Sequence, residues 1–178
     1  MSQVLYTALL GATVVERLVE MLVSRRNAAW SVARGGREFG RGHFPAMVSL
    51  HAGFLVSCGA EVWLADRVFV PWLGWPMLAI ALSCQALRWW VIRTLGPRWN
   101  TRVIVVPGLP RVTAGPFRWL RHPNYAAVVT EGVALPLVHS AYVSALVFSL
   151  LDAALLRARV RVEDEALGWM EQQPGGTT

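Results

Sequence analysis

Residues 114–131, AGPFRWLRHPNYAAVVTE, gather the side chains best suited to chemistry in this chain. Arg121-His122-Pro123 is followed by Tyr125, with Gly115-Pro116 and an aromatic pair before it and Glu131 after it. Proline cannot donate a backbone hydrogen bond and fits a first helical turn, so the spacing predicts a loop entering a helix, with His122 just ahead of its N-terminus. That end presents unpaired N–H groups and a partial positive charge, which favour a carboxylate or phosphate. Glu131 lies six residues past Tyr125, a large angular offset, and need not share its face. The alternative is an interfacial anchor, because Arg, His, Tyr and Trp all favour the headgroup zone of a membrane.

A second group, Arg159-Val-Arg161-Val-Glu163-Asp164-Glu165, follows the last apolar stretch. Arg159 and Glu163 are four apart and share a helical face. Basic stop-transfer residues before a solvated acidic helix are the plainer explanation. A helical hairpin beginning at His122, however, returns near residue 157 to the same membrane face, where the two groups can meet.

The elements that must hold these residues are apolar. The chain has 178 residues, mean hydropathy +0.41, 54% hydrophobic and 16% charged residues. A soluble domain is nearer 25% charged. All 17 basic residues are Arg, which fits a GC-rich coding bias, and the net charge of +6 sits mainly beside the apolar segments, as membrane topology rather than nucleic-acid binding requires. Cys58 and Cys84 each fall in an apolar stretch, with no Cys-x-x-Cys or Cys/His cluster to suggest a disulfide framework or metal site. The first stretch lacks a basic leader and carries Glu16, Arg17 and Glu20, so it reads as a retained helix rather than a secretory signal.

Five spans are expected, near 3–23, 44–65, 72–95, 124–138 and 141–157, the last two forming a helical hairpin. Ser24-Arg25-Arg26-Asn27 should stop the first, leaving a polar loop over 24–43. Glu16 and Glu20 share a face that should turn toward other helices or the headgroup boundary. Residues 102–106 and 111–113, around Pro107-Gly-Leu-Pro110, suggest a short β-hairpin. A short polar helix follows Arg157 and ends near Met170, and 171–178 should be disordered. The fold class is thus all-α integral membrane: one domain over 1–170 with a cytoplasmic loop region. The 24–43 and 98–121 loops hold five Arg each and 157–161 holds three, against one in 66–71. The positive-inside rule places the first three regions in the cytoplasm, the N-terminus outside and the C-terminus inside.

Gly115-Pro116-Phe117, Arg121-His122-Pro123-x-Tyr125 and Arg159 followed by Glu163-Asp164 resemble the isoprenylcysteine carboxyl methyltransferase family. These are integral membrane enzymes that use S-adenosylmethionine. Glu16-Arg17-x-x-Glu20, Arg25-Arg26-Asn27, Gly40-x-x-His43-Phe-Pro45 and Leu95-Gly-x-x-Trp99-Asn100-Thr101 are similar to the bacterial branch that O-methylates alkylpyrones and alkylresorcinols. The resemblance covers residues 3–167. Asp164 departs from it, since a second Glu often stands there.

The resemblance implies a cofactor region over 96–170. His122 and Tyr125 would contact S-adenosylmethionine, with Gly115, Pro116, Arg121, Pro123 and Glu131 around it. Trp99, Asn100 and 102–118 would close over it, and Arg159 with Glu163 or Asp164 would stand where cofactor and acceptor meet. The acceptor would be a lipophilic small molecule entering from the bilayer, with no nucleic acid or obligatory protein partner. The chemistry fits independently: aromatic faces stabilise a sulfonium, and an Arg or helix N-terminus suits a carboxylate. No Gly-x-Gly-x-x-Gly fingerprint is present, so the membrane fold itself must build the site. His51 reads as a packing residue and His139 as a turn residue on the far face. Glu61 and Glu131 are intramembrane carboxylates, functional candidates or helix–helix hydrogen bonders. A small transporter or a non-catalytic scaffold are the other classes open, although no inverted repeat is present.

Overall fold

Five α-helices and one two-stranded ribbon are found among the residues described by the computed structural model, namely 1–40, 42 and 44–171. His43 and the tail 172–178, for which disorder is expected, lie outside them. Helix α1 spans Gln3–Val32 and starts at Ser2, whose hydroxyl accepts the Leu5 N–H at 3.2 Å. It ends at Gly35, with φ +76°, and the Gly36 N–H donates to the Ser31 carbonyl at 2.9 Å. A Cβ on Gly36 would sit 2.6 Å from that carbonyl oxygen.

The expected stop at residues 24–27 therefore does not occur. Ser24 and Asn27 are buried on the inner face of α1 and hold the chain that follows α3. The Ser24 hydroxyl lies 2.8 Å from that of Thr101, and the Asn27 amide donates to the Gly96 and Trp99 carbonyls at 3.1 and 2.8 Å. Polar side chains with such partners need not end a helix.

Helix α2 (Phe44–Leu64), α3 (Pro71–Leu95) and α4 (Pro123–Leu137) match the expected apolar stretches. Helix α5 runs unbroken over Tyr142–Glu171, so the polar stretch after Arg157 continues the last apolar segment instead of forming a separate helix. Residues 153–167 hold no Gly or Pro and are rich in Ala, Leu, Arg and Glu, which propagate a helix well. The expected local hairpin over 102–113 does not form either. Strand β2 (Val103–Val105) pairs antiparallel with β1 (Arg37–Phe39), Glu38 opposite Ile104. The docking of α1 onto residues 96–101 brings these distant segments into register, and Phe39 meets Trp169 of α5 with ring centroids 5.6 Å apart.

Helix α4 packs between α3 and α5, while α2 packs against α5 and α1. The apolar core of Tyr6, Cys58, Val62, Leu135 and Val138 is sealed by Phe54 stacked on Phe148. Both cysteines are free and buried. At the end of this core, Glu61 accepts the Val143 and Ser144 N–H groups at 3.1 and 2.7 Å and the Arg67 guanidinium at 2.8 Å. It thereby caps α5, whose first N–H groups lack helical partners. His139 is buried in the α4–α5 turn, its Nε2 3.2 Å from the Met1 carbonyl oxygen.

The polarity of the helices is inverted relative to a water-soluble bundle. Helix α1 exposes Leu5, Val15, Leu18 and Leu22 and buries Thr13, Glu20, Ser24 and Asn27. Helix α5 exposes Leu146, Val147 and Leu150 and buries Ser144, Asp152 and Arg159. Contiguous apolar surface of this extent marks contact with lipid or another apolar surface. Among the described residues one helix, α2, is long and apolar enough to cross a membrane by length and composition alone.

Candidate functional site

Helix α4 begins at Pro123, with His122 as its N-cap. The His122 and Tyr125 rings stack at 5.2 Å with 16° between their planes. Helix α5 supplies the other half. The Tyr125 hydroxyl donates to Glu163 and accepts from Arg159 Nε at 3.0 Å, while the second Glu163 oxygen lies 3.8 Å from His122 Nδ1. Arg159 is buried, lies over the Tyr125 ring at 5.6 Å, and donates to the Met47 sulfur at 3.3 Å. Four side chains from two helices are thus locked in one chain of contacts.

The segment between α3 and α4 walls this cluster. Gly115, in a short 3-10 turn with φ +59°, lies against the end of α3, where a Cβ would come within 2.5 Å of Thr94 Oγ1. Only glycine fits that approach and that backbone angle. Arg98 donates to the Pro110 carbonyl at 2.7 Å and straps the 107–112 loop down.

The cavity beside this cluster measures about 240 Å³. Its lining includes Trp99, Asn100, His122, Tyr125, Arg159 and Glu163, with Arg121 and Pro123 at its edge. His122 and Arg159 face the same space, as the hairpin argument requires. Gly115 and Pro116 do not line it and sit behind, against α3. Asp164 is exposed and lies outside it.

Glu131 is also elsewhere. Its six-residue step from Tyr125 turns it about 120° away, into a buried charge network with α1 and α3. There it accepts from Arg88 and, at 2.7 Å, from the Gln85 amide. Arg17 donates to Glu20 at 2.9 Å and to Gln85 at 2.5 Å, and Arg88 Nε lies 3.4 Å from Glu20. Glu16 accepts from the Trp89 indole at 2.5 Å. The face of α1 carrying Glu16 and Glu20 thus turns toward other helices, and the network joins α1, α3 and α4.

A second cavity of about 630 Å³ lies between α1 and α2 and is walled mostly by apolar side chains such as Leu10, Val14, Val48 and Leu55. It shares Trp99, Asn100, Asn124, Tyr125 and Arg159 with the first. Deeper in, it meets Arg17, Glu20, Arg88, His51 and Asp152. Two chemically unlike spaces therefore meet at the Tyr125–Arg159 contact.

Neither Asn124 nor Met47 stands out in the sequence, since a lone Asn beside a proline and a Met in an apolar run are ordinary. Asp152 offers a signal: it is a carboxylate inside an apolar run, seven residues before Arg159 and so on the same helical face.

The isoprenylcysteine carboxyl methyltransferase (ICMT) family matches residues 77–168. The chain is 40% identical over 164 residues to the uncharacterized protein YpbQ of Bacillus subtilis (strain 168), covering 92% of this chain and 96% of that protein. No solved structure matches.

Proposed function

The chain belongs to the isoprenylcysteine carboxyl methyltransferase family, a family of membrane methyltransferases, and from that premise we propose an S-adenosylmethionine-dependent O-methyltransferase of lipophilic acceptors. The acceptor group is the hydroxyl of an alkylpyrone- or alkylresorcinol-type phenolic lipid. One observation carries this reading: a smaller cavity that holds His122 and Glu163 and a larger, mainly apolar one share Tyr125 and Arg159.

The residues of the smaller cavity suit the cofactor. Tyr125, His122 and Trp99 offer aromatic faces to a sulfonium, and Glu163 offers a carboxylate to an ammonium or ribose hydroxyl. The N-terminus of α4, beside His122, suits a carboxylate. When bound there, S-adenosylmethionine supplies an electrophilic methyl group. The chain's own task is alignment, and holding two reactants in line supplies much of the rate of a displacement. Arg159 fixes the Tyr125 hydroxyl, Tyr125 fixes Glu163, and the stacked His122 ring keeps the aromatic wall flat. A hydroxypyrone acceptor is acidic enough to be an anion, and Arg159 would hold its oxygen. A resorcinol hydroxyl, with a pKa of about 10, needs a base, and Glu163, which accepts from Tyr125 at the junction of the cavities, would serve as one. Asp164, exposed, has no such position. Glu131 serves the scaffold that keeps α4 in place.

The inverted helices and the Arg-rich 24–43, 98–121 and 157–161 segments support a five-span, single-domain membrane protein with the site at the cytoplasmic face. Carboxyl methylation of an isoprenylcysteine-like substrate is the second reading, favoured by the Arg159 guanidinium at the junction, a natural partner for a carboxylate. Methyl transfer from labelled S-adenosylmethionine to an alkylpyrone, an alkylresorcinol and a prenylcysteine decides between them. Labelling of the hydroxyl lipids is expected; labelling of the prenylcysteine alone would favour the second reading, and labelling of none would reject both.

A further inference from the structure

The large cavity is walled as if for hydrocarbon, yet its deep end is not apolar. Asp152 of α5 is only 4% exposed, lines this cavity, and makes no hydrogen bond among the described residues. His51 of α2 lines the same space. Its Nδ1 lies 2.9 Å from the Met47 carbonyl oxygen. A carbonyl only accepts, so Nδ1 carries the proton and Nε2 is left as an acceptor. The Phe148 ring meets the His51 edge at 5.3 Å and fixes its orientation. Arg88 lines the same cavity.

A buried carboxylate without a partner is among the costlier features a protein can keep. It is also avoidable, because Leu or Asn would fit the same helix position. The neighbouring charges do not account for it. Arg17 and Arg88 are already engaged by Glu20 and Glu131, two guanidiniums beside carboxylates that claim them. Asp152 is left with hydrogen-bonding capacity that no described side chain uses, open to a hydroxyl in the cavity.

Resting on the reading that this cavity receives the lipophilic acceptor, we propose that Asp152 and His51 form a second polar subsite that binds a neutral hydroxyl of the acceptor other than the one methylated. The acceptor is then an amphiphile with two polar groups on its head, not a single group on a bare chain. The spacing fits. Asp152 lies seven residues from Arg159, roughly 10 Å along the helix, and His51 lies one turn, roughly 6 Å, beyond Met47, which touches Arg159. Side chains on a helix lean toward its N-terminus, so Arg159 leans inward and His51 leans back toward it.

The test compares an alkylresorcinol with the alkylphenol of equal chain length that lacks one hydroxyl. Binding is measured by titration into the full-length protein in lipid nanodiscs, and turnover with labelled S-adenosylmethionine. The wild type should bind the dihydroxy compound about tenfold more tightly, as one added hydrogen bond to a charged group provides. In Asp152→Asn and His51→Phe that preference should fall to about twofold or less, while affinity for S-adenosylmethionine stays unchanged. Asp152→Asn should also melt no lower than wild type, since it removes an unpaired buried charge; a residue kept only for structure would behave the other way. Equal binding of both compounds by wild type, with turnover, overturns the subsite and leaves the methyltransferase reading standing. Preference retained in both variants does the same. Failure of both compounds to bind, in a protein that binds the cofactor, overturns the subsite together with the phenolic acceptor.

Discussion

Replacing Tyr125 by Phe removes one oxygen and keeps the ring that stacks on His122. That oxygen bridges Arg159, 8% exposed, and Glu163, whose side chain is 32% exposed. The two ends therefore contribute unequally. Water can reach the Glu163 carboxylate and replace much of what it loses, whereas Arg159 Nε would keep only an empty space. A hydrogen bond to a charged group contributes about 1.5–3 kcal/mol, and the exposed end lies at or below the bottom of that range. The expected loss is about 1.5–2 kcal/mol in transition-state stabilisation, or roughly 10–30-fold in kcat/KM. Cofactor affinity should change little because the aromatic face remains. Tyr125→Ala should lose both. The assay is steady-state methyl transfer in nanodiscs, with cofactor binding measured separately. Wild-type kcat/KM in Tyr125→Phe would refute the claim that this hydroxyl aligns Arg159. A loss carried wholly by cofactor binding would refute it too.

Arg88→Met leaves Glu20 and Glu131 to share Arg17 alone and should lower stability by about 3 kcal/mol; the double variant Arg88→Met/Glu131→Leu should recover much of that in thermal melts. Gly115→Ala forces a Cβ onto Thr94 at a positive φ, with an expected cost of about 1–3 kcal/mol and a weaker hold on cofactor, seen by melting and by titration. Glu61→Gln keeps an acceptor for the start of α5 but loses the charge shared with Arg67, so melting should fall modestly and activity should hold. Asp164→Ala, at an exposed position beyond the cavity, should leave kcat/KM within about twofold of wild type, in line with surface substitutions in general.

Much of the frame was legible in the chain. The apolar run that becomes α3 is bounded by Pro71 and Gly96-Pro97, whose effects are local, and Pro123 marks the start of α4 for the same reason. Arg159 and Glu163 share a face because they are four apart, and the 120° step to Glu131 separates it from Tyr125. What was not legible depended on partners far along the chain. Ser24 and Asn27 look like a helix stop until they are seen hydrogen-bonded to Thr101 and to the Gly96 and Trp99 carbonyls. Val103–Val105 pairs with Arg37–Phe39 rather than with its neighbour across Pro107–Pro110, because α1 delivers that strand. The polar stretch after Arg157 resembles a break, yet nothing in it interrupts a helix. Asp152 and His51 lie on different helices, and only the packing of α2 on α5 brings them to one cavity.

The central claim is that the imidazole of His122 and the guanidinium of Arg159 wall one cofactor site. Titration of S-adenosylmethionine into the detergent-solubilised protein, wild type beside His122→Ala and Arg159→Ala, tests it most directly. Micromolar binding by wild type, weakened at least about tenfold in both folded variants by the loss of contacts worth about 1.4 kcal/mol or more, is the predicted result. No binding by wild type, or binding by both variants as tight as wild type, would contradict it.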